Sequence, residues 1–395
     1  MAQRPRIYLK SRDDARLLQG HLWVFSNEIE RSEGSPKPGE IIDVYSHRQK
    51  FLGRGFYNPK SLIAARLLTT TDQSVSSAFF SNKIRSAKAL RESLYPGETS
   101  YRLIFGESDG LPGLVIDRFE NCFVIQSYCL GMDVLQPLIL EALKAHFKPE
   151  TIILKNDSAV REFEGVAQEV KVLEGEPALP IQIKLKTPHK MLNLLFDPIE
   201  GQKTGYFLDQ RENRARAAEF CSGKKVLDCF SYVGGFGLYA AAAGASETVC
   251  IDSSTQAADL AQKNFEANGL QAEILRGDVF ETLEGFSKEK CEFDTIILDP
   301  PAFAKSKKNL FGAMRKYAQL NKQALGILKK GGTLITCSCS HHIRRDDFIK
   351  MLGEAAADAG RNARILEIRG QAMDHPIHPS MPETEYLKCV IARID

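Results

Sequence analysis

Asp228, Asp252, Asp278 and Asp299 stand at or just beyond the ends of four successive apolar runs, residues 225–230, 248–252, 273–275 and 293–298. A single acid at such a place is commonly a helix N-cap, because strand-to-helix loops often end in Asp, and Asp278 carries the strongest alternative of this kind. As a set they ask for a shared explanation. Asp252 follows Asp228 by 24 residues, an interval at which an acid accepts hydrogen bonds from the two hydroxyls of an adenosine ribose. Gly277-Asp278 falls where the adenine amino group would lie. Between the first two acids runs Cys229-Phe230-Ser231-Tyr232-Val233-Gly234-Gly235-Phe236-Gly237, a glycine-bearing turn whose backbone can approach a ligand closely. Phe230, Ser231, Gly234, Gly235 and the four acids are the candidate contacts. A nicotinamide enzyme would share the first two acids, but it usually carries Gly-x-Gly-x-x-Gly, and an Asp-Pro-Pro after the fourth run has no place in it. The pattern points to S-adenosylmethionine.

The substrate side follows the fourth and fifth runs. In Asp299-Pro300-Pro301-Ala302-Phe303 the prolines remove backbone donors and set φ, so a stiff apolar edge faces a flat substrate through Pro300, Pro301 and Phe303. The fifth run closes on Thr336-Cys337-Ser338-Cys339-Ser340. A thiolate at that place permits covalent chemistry: addition to carbon 6 of a cytosine turns the poorly nucleophilic carbon 5 into an enamine able to attack a sulfonium methyl. Asp299 would hydrogen-bond the ring nitrogen while charge develops there. The plain alternative for either cysteine is a small buried apolar residue. Cys337 and Cys339 point the same way from a strand, so alternation does not choose between them. His341 and His342 can lower a thiol pKa or sit idle on the surface. Lys305, Lys307, Lys308, Arg315 and Lys316 follow the proline loop and suit phosphates, or simply a solvated face.

Three regions position these residues. Residues 1–72 hold short alternating runs broken by Gly34, Pro36, Pro38-Gly39, Gly53 and Gly55, as in a small β-barrel. Residues 73–188 mix helical patterns, at 74–92 and 134–147, with strands at 113–117, 122–128 and 151–154, an α+β region. Residues 189–395 alternate apolar strands with helices, the mark of an α/β domain built on a largely parallel sheet, Rossmann-like in kind.

A chain of 395 residues is long for one core, so several compact units are expected. Charged residues at 26% and hydrophobic ones at 43% exclude disordered, collagenous and coiled-coil classes. The net charge is +2, yet residues 1–70 carry 12 Lys and Arg against 7 Asp and Glu, which favours a polyanionic partner at that end. Met1 to Arg12 lack an apolar signal core and no run reaches 18 apolar residues, so a cytoplasmic protein without a membrane partner is expected. Nine scattered cysteines without Cys-x-x-Cys argue for reduced thiols and no metal site.

Several segments make the chain similar to a known family: residues 203–214 (Lys-Thr-Gly-Tyr-Phe-Leu-Asp-Gln-Arg-Glu-Asn-Arg), Ser231 to Phe236, Asp299 to Phe303, Ser338-Cys339-Ser340, Asp374-His375-Pro376 and Tyr386-Leu387-Lys388. Over essentially its whole length it resembles the bacterial large-subunit (23S) ribosomal RNA cytosine-5 methyltransferases of the RlmI type. The resemblance implies an RNA-binding PUA domain opening at residues 20–29, a central α+β domain and a class I methyltransferase domain. It places the nucleophile on Cys339, leaves Cys337 as a neighbour, and sets Thr204, Phe207 and Arg211 against the cofactor. Ribosomal RNA is the implied partner, and a homodimer stays open. Ala302 stands where the family more usually has lysine, and the proline loop lacks a second cysteine, so another base must release the product. Two rival readings remain: methylation of a base nitrogen, which Asp-Pro-Pro alone permits, and an inactive RNA-binding ribosome assembly factor.

Overall fold

The structure is a computed structural model describing residues 4–304 and 307–395. Two compact units form, one from residues 1–181, 197–208 and 373–384, the other from residues 182–196, 209–372 and 385–395.

In the first unit the short alternating runs near the N-terminus become a six-stranded sheet, ordered Trp23–Val24, Ala65–Thr69, Phe51–Tyr57, Ile41–Tyr45, Arg6–Leu9, Ile29–Glu33. Arg6–Leu9 and Ile41–Tyr45 pair in parallel; the other pairs are antiparallel. Ile7, Leu9, Val24, Ile42, Val44 and Leu67 close its core. Gly55 is required by packing, because a Cβ there would lie 1.9 Å from the Arg66 carbonyl oxygen. A five-stranded sheet follows, ordered Glu169–Glu174, Thr151–Asn156, Cys122–Ser127, Leu114–Phe119, Ser100–Phe105. Helices Ser77–Leu94 and Leu130–His146 belong to the same unit. The first helix starts three residues later than its pattern predicts, since Ser76 is spent as the N-cap on the Phe79 N–H.

The second unit is built on a seven-stranded sheet: β1 Lys225–Cys229, β2 Glu247–Asp252, β3 Glu273–Arg276, β4 Phe293–Leu298, β5 Leu328–Ser338, β6 Ala363–Arg369 and β7 Lys388–Ile394. The order is β3-β2-β1-β4-β5-β7-β6. β1 to β5 are parallel, while β7 runs antiparallel to both β5 and β6. Helices α1 Arg211–Ala218, α2 Gly235–Ala242, α3 Thr255–Ala267, α4 Val279–Lys288, α5 Leu310–Ile327 and α6 Arg345–Asp358 surround it. Leu227, Cys229, Ile296, Leu298 and Leu334 pack with α4, α5 and α6 on one face; Val226, Ile297, Ile335, Cys337 and Cys389 pack with α1 and α2 on the other. Burial on both faces is why these strands read as unbroken apolar runs. A two-stranded sheet, Ile181–Lys186 with Met191–Phe196, is tied to α3 by Asn264 and Asn268, whose amides bond the backbone of Leu195 and Asn193 at 2.6–3.0 Å.

The strand order reverses between β1 and β4, with Cys229 opposite Leu298 and Leu298 opposite Thr336. In such sheets this is where ligands bind, beyond the carboxyl ends of the strands.

Candidate active site

At the end of β1, Asp228 has no exposed surface. Its Oδ2 accepts the Gly237 N–H at 2.7 Å, and its Oδ1 meets no donor among the described residues. Burial pushes this carboxyl up to about 8, the Gly237 N–H opposing and the charges of Asp299 and Asp252 adding to the rise, with Arg214 working against it. The turn that follows is strained: Phe230 and Tyr232 hold φ of 61° and 52°, and Gly234 holds 82°. Left-handed backbone costs a non-glycine residue about 1–3 kcal/mol and persists where surrounding contacts impose it. Here the contacts are visible. Asp252 accepts the Tyr232 N–H on Oδ2 at 2.8 Å and the Ser254 N–H on Oδ1 at 2.9 Å. Buried Ser231 directs its N–H and its hydroxyl at the Ile251 carbonyl, 3.0 and 3.3 Å away. Gly237 lets α2 close on the sheet, since a Cβ there would stand 2.5 Å from Cys250 Sγ; one on Gly235 would stand 2.8 Å from Arg214 Nε. Phe230 packs on the α4–α5 core.

These residues fit an S-adenosylmethionine group. The open Oδ1 of a buried carboxylate suits its ammonium, and each Asp252 oxygen keeps a lone pair for a ribose hydroxyl. Asp278 is the N-cap of α4, accepting the Phe280 and Glu281 N–H groups at 2.8 and 3.2 Å through Oδ1, which leaves Oδ2 for a ligand.

On the substrate side Asp299 is held from behind. Gln210 Nε2 donates to Asp299 Oδ1 at 2.9 Å, Asn213 donates to Gln210 Oε1 at 2.7 Å, and Arg369 donates to Asn213 Oδ1 at 3.0 Å. Pro300 is buried and Pro301 exposed. Phe303 stacks at a tilt on Tyr317, centroids 4.7 Å apart, and leans on the same core as Phe230. Lys305 lies outside the described residues. Lys307 opens the 3-10 turn Lys307–Asn309, in which Lys308 is exposed, and Arg315 and Lys316 are exposed on α5. Arg315 covers the ring of Phe311, itself 73% exposed, at 4.7 Å.

Strand alternation leaves two cysteines open, and their surroundings separate them. Cys337 is fully buried inside β5 beside Cys389, its thiol raised well above the usual range by that neighbour and by burial. Cys339 lies one residue past the strand end, half-buried, with Sγ 3.9 Å from the Pro300 carbonyl oxygen. Ser340 pins the segment. Its Oγ takes the Ala304 N–H at 3.2 Å and pairs with the Tyr317 hydroxyl at 3.1 Å; its carbonyl takes the Lys388 ammonium at 2.7 Å. His341 is exposed, its ring 5.5 Å from that of Tyr386, whose hydroxyl donates to Asp209 at 2.5 Å.

The 203–214 segment divides between the units. In the first, buried Thr204 donates to Asp117 at 2.6 Å, and Lys203 lies over half-buried Phe207 at 5.1 Å. In the second, Arg211 opens α1.

Sequence reasoning does not single out Gln210, Lys388 or Tyr317. Gln210 sits inside the 203–214 motif and Lys388 beside Tyr386-Leu387, but only tertiary contact shows that they hold Asp299 and Ser340. Among the described residues no three His, Cys, Asp or Glu side chains gather as a metal site, and no helix is long and apolar enough to cross a membrane.

Residues 7–70 match the PUA-like domain, and residues 169–393 match the S-adenosylmethionine-dependent methyltransferase family. A ribosomal RNA large subunit methyltransferase I from Aeromonas hydrophila is 41% identical over 98% of this chain and 98% of its own. One from Klebsiella pneumoniae is 42% identical over 99% and 98%. Among solved structures, a protein assigned as a methyltransferase and complexed with SAH superposes with a TM-score of 0.83 at 22% identity, covering 98% of this chain and 99% of that one, a likeness in fold.

Proposed function

This chain belongs to the ribosomal RNA large subunit methyltransferase I family, S-adenosylmethionine-dependent enzymes with a PUA-like domain, and from that premise we propose that it methylates carbon 5 of a cytosine in large-subunit (23S) ribosomal RNA through a covalent bond to Cys339. One observation carries the choice of chemistry: the half-buried Cys339 thiol faces the Asp299-Pro300-Pro301 loop 3.9 Å from the Pro300 carbonyl, whereas Cys337 is sealed in the core. The target base is flipped out of its stack to reach it.

The residues then divide the work. Cys339 adds as thiolate to carbon 6, opening the 5,6 double bond, while the carboxyl of Asp299, steadied by Gln210 and carrying a proton for this step, donates to the ring nitrogen that gains electron density. Bound S-adenosylmethionine supplies an electrophilic methyl group. A base removes the carbon 5 proton, the double bond re-forms, and Cys339 leaves as thiolate. Asp228, Asp252 and Asp278 hold the cofactor with Phe230, Ser231, Gly234 and Gly235, and Arg211 joins them. Pro300, Pro301 and Phe303 frame the base; Lys305 and Lys307, with their basic neighbours, meet phosphates. The basic N-terminal sheet docks the RNA, and a cytoplasmic location goes with such a substrate.

The test is Cys339→Ala assayed on large-subunit RNA, with mass-spectrometric mapping of the product. Loss of turnover with retained cofactor binding supports the covalent route. Undiminished turnover, or a methyl group mapped to a ring or exocyclic nitrogen, sinks it in favour of nitrogen methylation.

A further inference from the structure

β7 places Lys388 directly across from Ser338 on β5. Its side chain is buried, 4% exposed, an uncommon location for an ammonium group. Two of its donors are spent on main-chain acceptors, the Ser340 carbonyl at 2.7 Å and the Tyr386 carbonyl at 2.8 Å. Neither acceptor is a carboxylate. A buried cation whose hydrogen bonds go only to neutral acceptors costs stability, and a well-packed apolar residue in its place would not. The position therefore asks for a reason beyond packing. The residue whose peptide it grips is the one that follows Cys339.

We propose that Lys388 is a positioning residue for the methyl transfer: by gripping the Ser340 carbonyl it fixes the segment that follows Cys339 against β7, and it supplies the positive charge that holds the Cys339 sulfur as a thiolate. The inference rests on the reading of Cys339 as nucleophile. Lys388 does not touch the RNA base; it acts through the cysteine. Its own ammonium is pulled down to about 8 by burial, with the charges of Cys339 and Glu385 supporting it, so it is still predominantly protonated at neutral pH. The other titratable groups at this end of β5 favour the thiol or are neutral. Tyr317 on α5 bonds Ser340 and keeps its proton, raised by burial. Asp299, beyond β4, adds negative charge that is felt at Cys337. His341 is exposed, next to Tyr386. A cation close to a thiol lowers its pKa and raises the thiolate fraction available for attack.

The experiment alkylates the full-length protein with iodoacetamide across a pH series and follows the Cys339 peptide by mass spectrometry. Cys291, the other half-buried thiol, serves as internal reference. In Lys388→Met the pH midpoint for Cys339 is expected to rise, slowing its alkylation near neutral pH by about tenfold or more. Lys388→Arg, which keeps the charge, should stay near the parent midpoint, and Cys291 should not change in either. Lys388→Gln keeps N–H donors without charge and carries the same test should the methionine variant fail to fold. An unchanged Cys339 midpoint in a folded, uncharged variant overturns the proposal. The readout needs no turnover, so the two readings fail separately. A fully active Cys339→Ala would defeat the nucleophile assignment, while an inactive Cys339→Ala together with an unshifted Cys339 midpoint in Lys388→Met would defeat only the role of Lys388.

Discussion

Asp117 in the first unit and Asp228 in the second are both aspartates with no exposed surface, yet they live under opposite conditions. Asp117 is clasped by Arg102 through two bonds of 2.7 Å and by the Thr204 hydroxyl at 2.6 Å. Asp228 has one backbone N–H, and its second oxygen meets no donor among the described residues. A buried charge is tolerable when paired, so Asp117 stabilises the fold it sits in. Asp228 is an acceptor kept waiting, at a cost to the cofactor-free protein. The same contrast runs through the backbone, since Phe230 and Tyr232 are left-handed beside Asp228. Functional sites hold their groups ready by leaving them unsatisfied.

Breaking the satisfied acid should have the largest effect. Asp117→Ala removes the buried carboxylate that half-buried Arg102 and the buried Thr204 hydroxyl both bond, and is expected to lower stability by about 3–5 kcal/mol, read as a drop in denaturant midpoint. Asp228→Asn should do the reverse. On the proposed reading it removes the acceptor that would take the cofactor's ammonium, weakening S-adenosylmethionine binding by about 1.5–3 kcal/mol in calorimetry, or roughly ten- to a hundredfold, while the cofactor-free melting temperature at pH 8 holds or rises.

The pH dependence of that melting temperature sharpens the comparison. Folded, Asp228 keeps its proton up to about 8; unfolded, it releases it near pH ~4. The folded state binds the extra proton between those values, so this group's contribution to stability is fully present below about pH 4 and is lost as pH rises toward 8. Asp228→Asn should flatten that part of the melting profile, and a slope unchanged by the substitution would contradict the burial argument. Smaller effects belong to the supports. Gln210→Leu removes the donor to Asp299 Oδ1 and should cut kcat by about tenfold, 1.4 kcal/mol or so, with cofactor affinity kept. Phe311→Ala, which removes the exposed ring under Arg315, should weaken RNA binding by about 1 kcal/mol in a titration at fixed salt and leave stability unchanged.

Much of the second unit is legible as pattern. The acids at strand ends, the runs that form β1 to β5 and the proline loop all follow from periodicity and residue type, because a strand covered on both faces has to be apolar along its length. Helix starts are less legible: the helical pattern at 74–92 begins three residues before the helix it marks, because Ser76 serves as its N-cap. Local chemistry determined what each residue offers, a carboxylate, a thiol or a stiff turn. Only the tertiary structure decided which offers meet. Cys337 and Cys339 are equivalent by alternation, and what separates them is β7, whose Cys389 lies across from Cys337 and whose Lys388 reaches Ser340. Gln210 and Asp299 are 89 residues apart in the chain. A hydrogen bond between them depends on where sheet and helices carry both backbones, and spacing along the chain holds no record of that.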